Sequence, residues 1–193
     1  MTAFWTSLFF ITAAEMGDKT QLVSLAFACR YRARLVVVGV FVATLAVHLF
    51  SVAIGEMLGL ALPTLWINIG AGISFLGFGI WTVRGDSLDD GQSCDRFASL
   101  GPFFTIAGTF FLAELGDKTM LATVTIASRE LDFLGVWLGS TFGMVVADGL
   151  AICVGVAMGR RLPARAIRLG AAAIFLVFGV SVLMKSIFNL SVF

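Results

Sequence analysis

The sequence AAEMGDKTQL, residues 13–22, places a glutamate, an aspartate and a lysine inside a long apolar segment. Of the 193 residues in the chain, 59% are hydrophobic and 13% are charged, and the mean hydropathy is +1.00. Because soluble domains contain about 25% charged residues, this composition predicts a membrane protein. Ionisable residues in the middle of a membrane segment are costly and mark functional sites, so the motif is a candidate site.

The charge and cysteine content argue against several other classes of protein. A net formal charge of +1 gives no sign of a nucleic-acid partner, which would require basic residues clustered on one face. Cys29, Cys94 and Cys153 lie too far apart in sequence to predict a thiolate metal site or a disulfide framework. We expect no cofactor. The N-terminal segment lacks the basic region and cleavage site of a signal peptide, so we expect it to remain as the first membrane span.

Six apolar segments have about the 20 residues needed to cross the hydrocarbon core of a lipid bilayer as a helix. They lie near residues 4–28, 35–58, 64–83, 102–127, 133–158 and 166–185. The predicted fold class is therefore an all-α membrane protein with six transmembrane helices. Nothing in the pattern specifies an oligomeric state.

The distribution of Lys and Arg predicts the orientation, because cytoplasmic loops carry an excess of both. The first, third and fifth loops and their flanks contain Arg30, Arg32, Arg34, Arg84, Arg96, Arg160, Arg161, Arg165 and Arg168. The opposite side contains only Arg129 and Lys185. We therefore expect both termini outside, in the periplasm, and these three loops in the cytoplasm.

The motif belongs to an internal repeat. ITAAEMGDKTQL at 11–22 matches FFLAELGDKTML at 110–121, and an offset of 100 then relates Gly39 to Gly139, His48 to Asp148, Gly55 to Gly155, Gly59 to Gly159, Pro63 to Pro163, Gly70 to Gly170 and Gly79 to Gly179. Each copy contains three spans, and an odd number of crossings turns the second copy upside down, as in many secondary transporters. The predicted organisation is a first three-helix repeat at 1–83, a cytoplasmic linker at 84–100 and a second, inverted three-helix repeat at 101–193.

The acids of the two motifs are predicted to form one site. Glu15 and Glu114 lie about halfway along their spans, where each charge costs about 2.5 to 3.5 kcal/mol unless it faces a partner. Residues three apart share a helix face, so the acids of each motif face the bundle interior together. We predict that four carboxylates converge near the midplane, namely those of Glu15, Asp18, Glu114 and Asp117.

Charge and ligand type indicate a divalent cation at this site. Four carboxylates and two lysine ammonium groups leave a surplus of two negative charges, and hard oxygen ligands suit Ca²⁺, Mg²⁺ or Mn²⁺ better than copper or zinc. Gly17 and Gly116 lie where an unwound turn would expose backbone carbonyls. The supporting residues are predicted to be Gly17, Lys19, Thr20, Gln21, Gly116, Lys118 and Thr119. We expect the lysines to orient the carboxylates and to fill the site when the metal leaves.

The paired stretches EMGDKTQL and ELGDKTML resemble the repeated glutamate-x-glycine-aspartate-lysine-(serine or threonine) signature of the divalent cation/proton antiporter family. That family includes the Golgi calcium and manganese exchangers, their chloroplast relatives and bacterial manganese exporters. The resemblance covers the whole chain and implies export of Mn²⁺, or of Ca²⁺, across the bacterial inner membrane in exchange for protons. It also implies that the four motif acids bind the cation.

Protons are a reasonable counter-ion on physical grounds. Carboxylates crowded in a site of low dielectric constant cannot all remain ionised once the metal departs, so metal and protons would compete for them. His48 and Asp148 occupy equivalent positions within the second and fifth spans. Either of them can serve a proton path or make a structural interhelical hydrogen bond, and the sequence leaves both interpretations open.

Other interpretations explain less of the pattern. Glu15 and Lys19 could neutralise each other as a structural pair, but that leaves Asp18 and the second motif unexplained. An exporter of a small cationic metabolite, such as an amino acid, would need an apolar or carboxylate-binding pocket, and the paired acidic motifs offer neither. An intramembrane aspartyl protease is disfavoured because the lysine that follows each motif aspartate would hold it ionised. A scaffold would not require charges in mid-span, so we predict a transporter and not an enzyme.

Overall fold

The computed structural model describes residues 1–16, 18–84, 101–158 and 164–190. Within these ranges the chain is helical and contains no strand. The helices are α1 (Thr2–Glu15), α2 (Lys19–Arg30), α3 (Ala33–Ala61), α4 (Thr64–Arg84), α5 (Pro102–Glu114), α6 (Lys118–Glu130), α7 (Phe133–Met158) and α8 (Ala164–Leu190). The all-α fold class is confirmed for the described part of the chain, and most of the predicted linker lies outside it.

Four of these helices are long and apolar enough to cross a membrane. The candidate spans are Ala33–Ala61, Thr64–Arg84, Phe133–Cys153 and Leu169–Phe188, and Pro102–Glu114 is a shorter apolar helix. Together with the composition of the chain, these helices define a multi-pass membrane protein.

The first and fourth predicted spans are not continuous helices. The segment predicted at 4–28 consists of α1 and α2, and the segment at 102–127 consists of α5 and α6. Both interruptions fall in the charged motif, where glycine has a low helix propensity. Gly116 has a φ of +80°, a value that a right-handed helix excludes. Each of these two predicted spans therefore has to be corrected to a pair of shorter helices in series.

The two repeats are interlocked, and neither forms a bundle of its own. The most extensive helix contacts in the described structure join α4 to α8, α1 to α7 and α3 to α6, with further contacts between α3 and both α5 and α7. Each of these pairs takes one helix from each repeat. The space between the repeats therefore contains most of the buried core.

Helices α4 and α8, which are equivalent in the repeat, run antiparallel. A Cβ atom on Gly72 would lie 2.6 Å from Cγ of Leu183, and one on Gly79 would lie 2.7 Å from Cγ of Leu176. Since higher residue numbers on α4 meet lower ones on α8, the two helices point in opposite directions. Glycine at both positions lets the helices approach closely.

Contacts between these helices are also reciprocal. The rings of Phe75 and Phe175, which are equivalent residues, have centroids 6.0 Å apart. Phe75 contacts Phe178 at 4.9 Å, and Phe78 contacts Phe175 at 6.1 Å. Exchanging the two repeats therefore exchanges these contacts, as a two-fold relation requires. Phe10 of α1 packs on the same group, 4.2 Å from the ring centroid of Phe178.

Candidate cation-binding site

Both copies of the motif lie where one helix ends and the next begins, and their backbones are alike. Glu15 ends α1 and Glu114 ends α5. Asp18 and Asp117 are the N-cap residues of α2 and α6, with extended backbone angles of φ −84°, ψ 167° and φ −77°, ψ 169°. The Asp18 amide donates to the carbonyl of Glu15 at 3.0 Å, and the Asp117 amide donates to that of Glu114 at 3.2 Å. The sequence repeat is therefore also a repeat of local structure.

The motif acids are removed from solvent. The exposed fraction is 0% for Glu15 and Glu114, 3% for Asp18 and 5% for Asp117. Burying a carboxylate is costly unless it gains hydrogen bonds, an opposite charge or a metal. The surroundings of these four groups therefore indicate what the site can bind.

Each motif glutamate receives one hydroxyl group from the helix that follows it. The Thr20 hydroxyl donates to Oε1 of Glu15, and the Thr119 hydroxyl donates to Oε2 of Glu114 at 2.5 Å. The second oxygen of each glutamate, Oε2 of Glu15 and Oε1 of Glu114, is buried and has no hydrogen-bond partner. Oδ2 of Asp117 is buried without a partner as well. These oxygens are open acceptors for a cation or for protons.

An ion pair joins the two repeats at this site. Nζ of Lys118, in the second motif, lies 2.8 Å from Oδ1 of Asp18 in the first. The exposed fraction of Lys118 is only 4%, and its ammonium group also interacts electrostatically with Glu15 and Asp117. A single lysine thus neutralises part of the acidic charge of both motifs.

The four acids are electrostatically coupled across the repeats. Glu15 interacts with Glu114 and Asp18, and Glu114 interacts with Asp117 and Asp18. In the described residues, however, no group of three or more His, Cys, Asp or Glu side chains is arranged so that it could hold one metal ion. The predicted convergence of the four acids on one metal ion and the predicted set of metal ligands therefore stay predictions.

The supporting residues have separate positions. Gln21 donates from Nε2 to the carbonyl of Ala147 on α7 at 3.0 Å, and so fixes α2 against the second repeat. Gly116 supplies the positive φ of the second motif and its amide lies 3.2 Å from Sδ of Met120. Gly17 and the side chain of Lys19 lie outside the described residues.

His48 and Asp148, which occupy equivalent positions in the two repeats, differ in their contacts. Oδ1 of Asp148 lies 2.6 Å from the Ser24 hydroxyl oxygen, within hydrogen-bond distance. His48 is fully buried, and neither of its ring nitrogens has a hydrogen-bond partner. The sequence pattern gives no sign that Ser24 contacts Asp148. Its bond to Asp148 depends on how α2 packs on α7, which no local pattern encodes.

Buried acids at paired helix interruptions in a helical membrane protein are features found in ion transporters. Comparison with known proteins gives the family. The model of the divalent cation/proton antiporter family GDT1 matches residues 3–90 and 102–189, and the chain belongs to this family. Each matched segment contains one copy of the motif. The family description names a divalent cation and protons as the substrates, so the chain falls among cation/proton antiporters.

Individual relatives match over nearly their whole length. The chain is 33% identical over 186 residues to a Vibrio cholerae protein named "Putative manganese exporter", covering 94% of this chain and 90% of that protein. It is 29% identical to a GDT1-like protein of Synechocystis, covering 93% and 96% of the two chains. It is 23% identical to GDT1-like protein 5 of Arabidopsis thaliana, covering 97% of each. No solved structure gives a significant match.

Proposed function

We propose that the protein exports Mn²⁺ from the bacterial cytoplasm in exchange for protons, with Ca²⁺ as the alternative cation. The proposal depends on the buried acidic cluster that both motifs share, in which carboxylate oxygens of Glu15, Glu114 and Asp117 have no hydrogen-bond partner. The relation to the Vibrio cholerae protein named as a manganese exporter favours Mn²⁺. In this proposal the metal is cargo, and no resident cofactor is needed.

The proposed topology has six crossings in two inverted repeats within the inner membrane. The helix pairs α1–α2 and α5–α6 each make one crossing, and α3, α4, α7 and α8 make one each. The antiparallel packing of α4 on α8 and the reciprocal contacts of Phe75 and Phe175 support the inversion. The excess of basic residues in alternate loops supports placing both termini in the periplasm.

The proposed cation ligands are the carboxylates of Glu15, Asp18, Glu114 and Asp117. The ammonium group of Lys118 and a divalent cation would compete for Asp18, since both are attracted to the same carboxylate. When the cation enters, Lys118 releases Asp18; when the cation leaves, the lysine returns and keeps the buried aspartate neutralised. Thr20 and Thr119 hold the two glutamates in position through their hydroxyl groups.

Alternating access follows from two inverted halves that meet at one site. Each half carries its acids at a helix interruption, where a few backbone torsions can change without disturbing the long helices. Exchanging the conformations of the two halves would close the site on one side of the membrane and open it on the other. Protons occupy the acids on the return step, because the empty cluster cannot remain fully ionised.

Transport by purified protein in sealed vesicles tests this function. Protein oriented with its cytoplasmic side outward should take up Mn²⁺ when the vesicle interior is acidic, and a protonophore should abolish the uptake. A panel of Mn²⁺, Ca²⁺, Mg²⁺ and a cationic amino acid would establish the substrate. Uptake that ignores the proton gradient would exclude antiport, and uptake of the amino acid alone would exclude a metal substrate.

A further inference from the structure

Asp148 is a buried acid outside the two motifs, and the proposed cation site does not use it. It lies on α7, is 2% exposed and has one oxygen, Oδ2, with no hydrogen-bond partner. Its other oxygen, Oδ1, contacts the Ser24 hydroxyl of α2 at 2.6 Å. The acid therefore joins the second repeat to the helix that begins at the first motif.

The contacts of Ser24 bear on whether Asp148 carries a proton. The Ser24 oxygen lies 2.8 Å from the carbonyl oxygen of Thr20 and 2.6 Å from Oδ1 of Asp148. A serine hydroxyl has one hydrogen to donate, and a carbonyl and an ionised carboxylate can only accept. A neutral Asp148 that donates to Ser24, while Ser24 donates to Thr20, gives each of the two short contacts a hydrogen of its own. The geometry thus fits a protonated Asp148.

Asp148 is also linked to the motif acids. Thr20, whose carbonyl accepts from Ser24, uses its own hydroxyl to donate to Glu15, so the first two turns of α2 connect Asp148 with a proposed cation ligand. Asp148 interacts electrostatically with Glu15, Glu114 and Asp18. A cation among those acids would disfavour a proton on Asp148, and its departure would favour one.

The titratable groups around Asp148 come from each helix that packs on α7, which are α1, α2, α3 and α6. Helix α1 contributes Glu15, the N-cap of α2 contributes Asp18, α3 contributes the buried His48, and α6 contributes Lys118 with its N-cap Asp117. The positive charge nearest the acids in the described structure is the ammonium group of Lys118, which lies on Asp18. No hydrogen bond or ion pair to Asp148 other than that of Ser24 is formed by this set.

The other half of the protein repeats only part of this arrangement. The Thr123 hydroxyl donates to the carbonyl of Thr119 at 2.9 Å, and the Thr119 hydroxyl donates to Glu114, as Ser24 and Thr20 do in the first half. The position equivalent to Asp148 is His48, whose ring nitrogens have no partner. The series of hydrogen bonds that starts at the motif glutamate therefore ends at a second acid only where it starts from Glu15.

We propose that Asp148, held by Ser24, carries a proton that is exchanged for the cation and is separate from the cation ligands. This inference rests on the proposed antiport and assigns one of its protons. When the cation binds, the O–H bond of Asp148 breaks and the proton leaves to water, so the carboxylate remains as a negative charge beside the loaded site. When the cation leaves, Asp148 takes a proton from water on the opposite side.

Proton release on metal binding tests this assignment. Full-length protein in weakly buffered detergent solution would be titrated with MnCl2 while an indicator dye counts the protons released. D148N should still bind Mn²⁺ but release about one proton fewer per cation, with a correspondingly weaker dependence of Kd on pH. D148E should restore the release. D132N is the matched control, because it makes the same substitution at another aspartate. Asp132 caps α7 by accepting a hydrogen bond from the Gly135 amide at 3.0 Å, and asparagine can also accept that bond.

Two results would overturn the proposal: D148N that releases as many protons as the native protein, or D148N that folds but no longer binds Mn²⁺, which would make Asp148 a cation ligand. An infrared difference spectrum of the native protein gives a test that does not depend on folding of D148N. Adding MnCl2 should remove a neutral carboxyl band that shifts in D148E, and a band unaffected by metal would contradict the assignment. Native protein that binds no divalent cation would instead refute the proposed function, which separates the two failures.

Discussion

Lys118 lies 2.8 Å from Asp18, so that a lysine of the second motif neutralises an aspartate of the first. The pair is buried and belongs to both repeats at once. Any movement of one half against the other must therefore change this ion pair or carry both residues together. In the proposed mechanism a divalent cation would compete with the ammonium group for Asp18, so the pair would couple cation binding to the relative position of the repeats.

Replacing Lys118 with methionine should destabilise the protein and make its stability depend on the cation. Removing one partner of a buried ion pair costs about 3 to 5 kcal/mol because the remaining charge is left uncompensated. Added Mn²⁺ should restore more stability to K118M than it adds to the native protein, since the metal supplies the missing positive charge. Thermal melts in detergent with and without MnCl2 would measure both effects.

The exposed Lys185 provides the control for that experiment, and K185M should melt like the native protein. K118M and K19M should both transport more slowly than the native protein, because each removes a charge that we expect to orient the acids. A K118M protein with unchanged melting temperature and unchanged transport would show that the ion pair has no role in either.

Replacing Glu114 with glutamine should weaken cation binding with little loss of fold. The amide oxygen can still accept the bond from Thr119, but the negative charge and the open acceptor Oε1 are lost. Changes to groups around a metal cost about 10- to 100-fold in affinity, and loss of a ligand should cost at least as much. E15Q should behave similarly, because Glu15 has the equivalent contact with Thr20. Binding of Mn²⁺ by isothermal titration calorimetry would measure the change.

The control for these variants is E56Q, since Glu56 is only half-buried on α3 and is not part of either motif. Equal affinities in E56Q and E114Q would remove Glu114 from the cation site. Equal affinities in E114Q and the native protein, with E15Q strongly impaired, would show that the two motifs do not share one ion.

Replacing Gly116 with alanine should strain the break between α5 and α6. Its φ of +80° is in the left-handed region, where a residue with a Cβ atom costs about 1 to 2 kcal/mol. No neighbouring atom lies within 4 Å of the added Cβ, so the cost comes from the backbone alone. G116N should lose less stability than G116A, because asparagine tolerates this conformation. Melting temperatures of the purified variants would test the order.

Gly70 is the matched control for the effect of an added methyl group. A Cβ atom there also meets nothing within 4 Å, but the residue lies in α4 with an ordinary helical φ. Alanine in place of Gly70 should be neutral or stabilise by up to about 1 kcal/mol. If G116A and G70A melted alike, the positive φ would not be required for the native structure.

Replacing Gly139 with alanine should force α1 and α7 apart. The added Cβ would overlap the main-chain carbonyl oxygen of Phe4, and a backbone atom cannot move aside as a side chain can. Overpacking of this kind costs about 1 to 3 kcal/mol. Because α1 ends at Glu15 and α7 carries Asp148, G139A should also slow transport. G170A is the control, since a Cβ on Gly170 has no neighbour within 4 Å, and equal stability of both variants would contradict close helix packing at Gly139.

The sequence predicted the features that depend on composition and self-similarity. Burial of Glu15, Asp18, Glu114 and Asp117 followed from the cost of charges in an apolar span, and the structure confirms it. The repeat predicted two copies of one motif, and in the described residues Asp18 and Asp117 are both N-cap residues with extended backbone angles. These features could be read because each depends on local chemistry or on comparison of the chain with itself.

Features that depend on packing between the repeats were not predictable. The described structure has an ion pair between Lys118 and Asp18 across the repeats, which the spacing within one motif does not predict. The division of the first and fourth predicted spans into separate helices was also missed, since hydropathy averages over the residues near the ends of α1 and α5. Which acid meets which base depends on the angle between helices, and a linear pattern does not contain that angle.

Phe75 touches Phe175, its own counterpart, and the contacts on either side are exchanged between the two copies. A surface that binds itself is what a homodimer needs, so the α4–α8 interface has the form by which two separate single-repeat chains would pair. Once the copies share a chain, each is free to change alone. The histidine at position 48 opposite the aspartate at position 148 is a divergence that a dimer of identical chains could not encode.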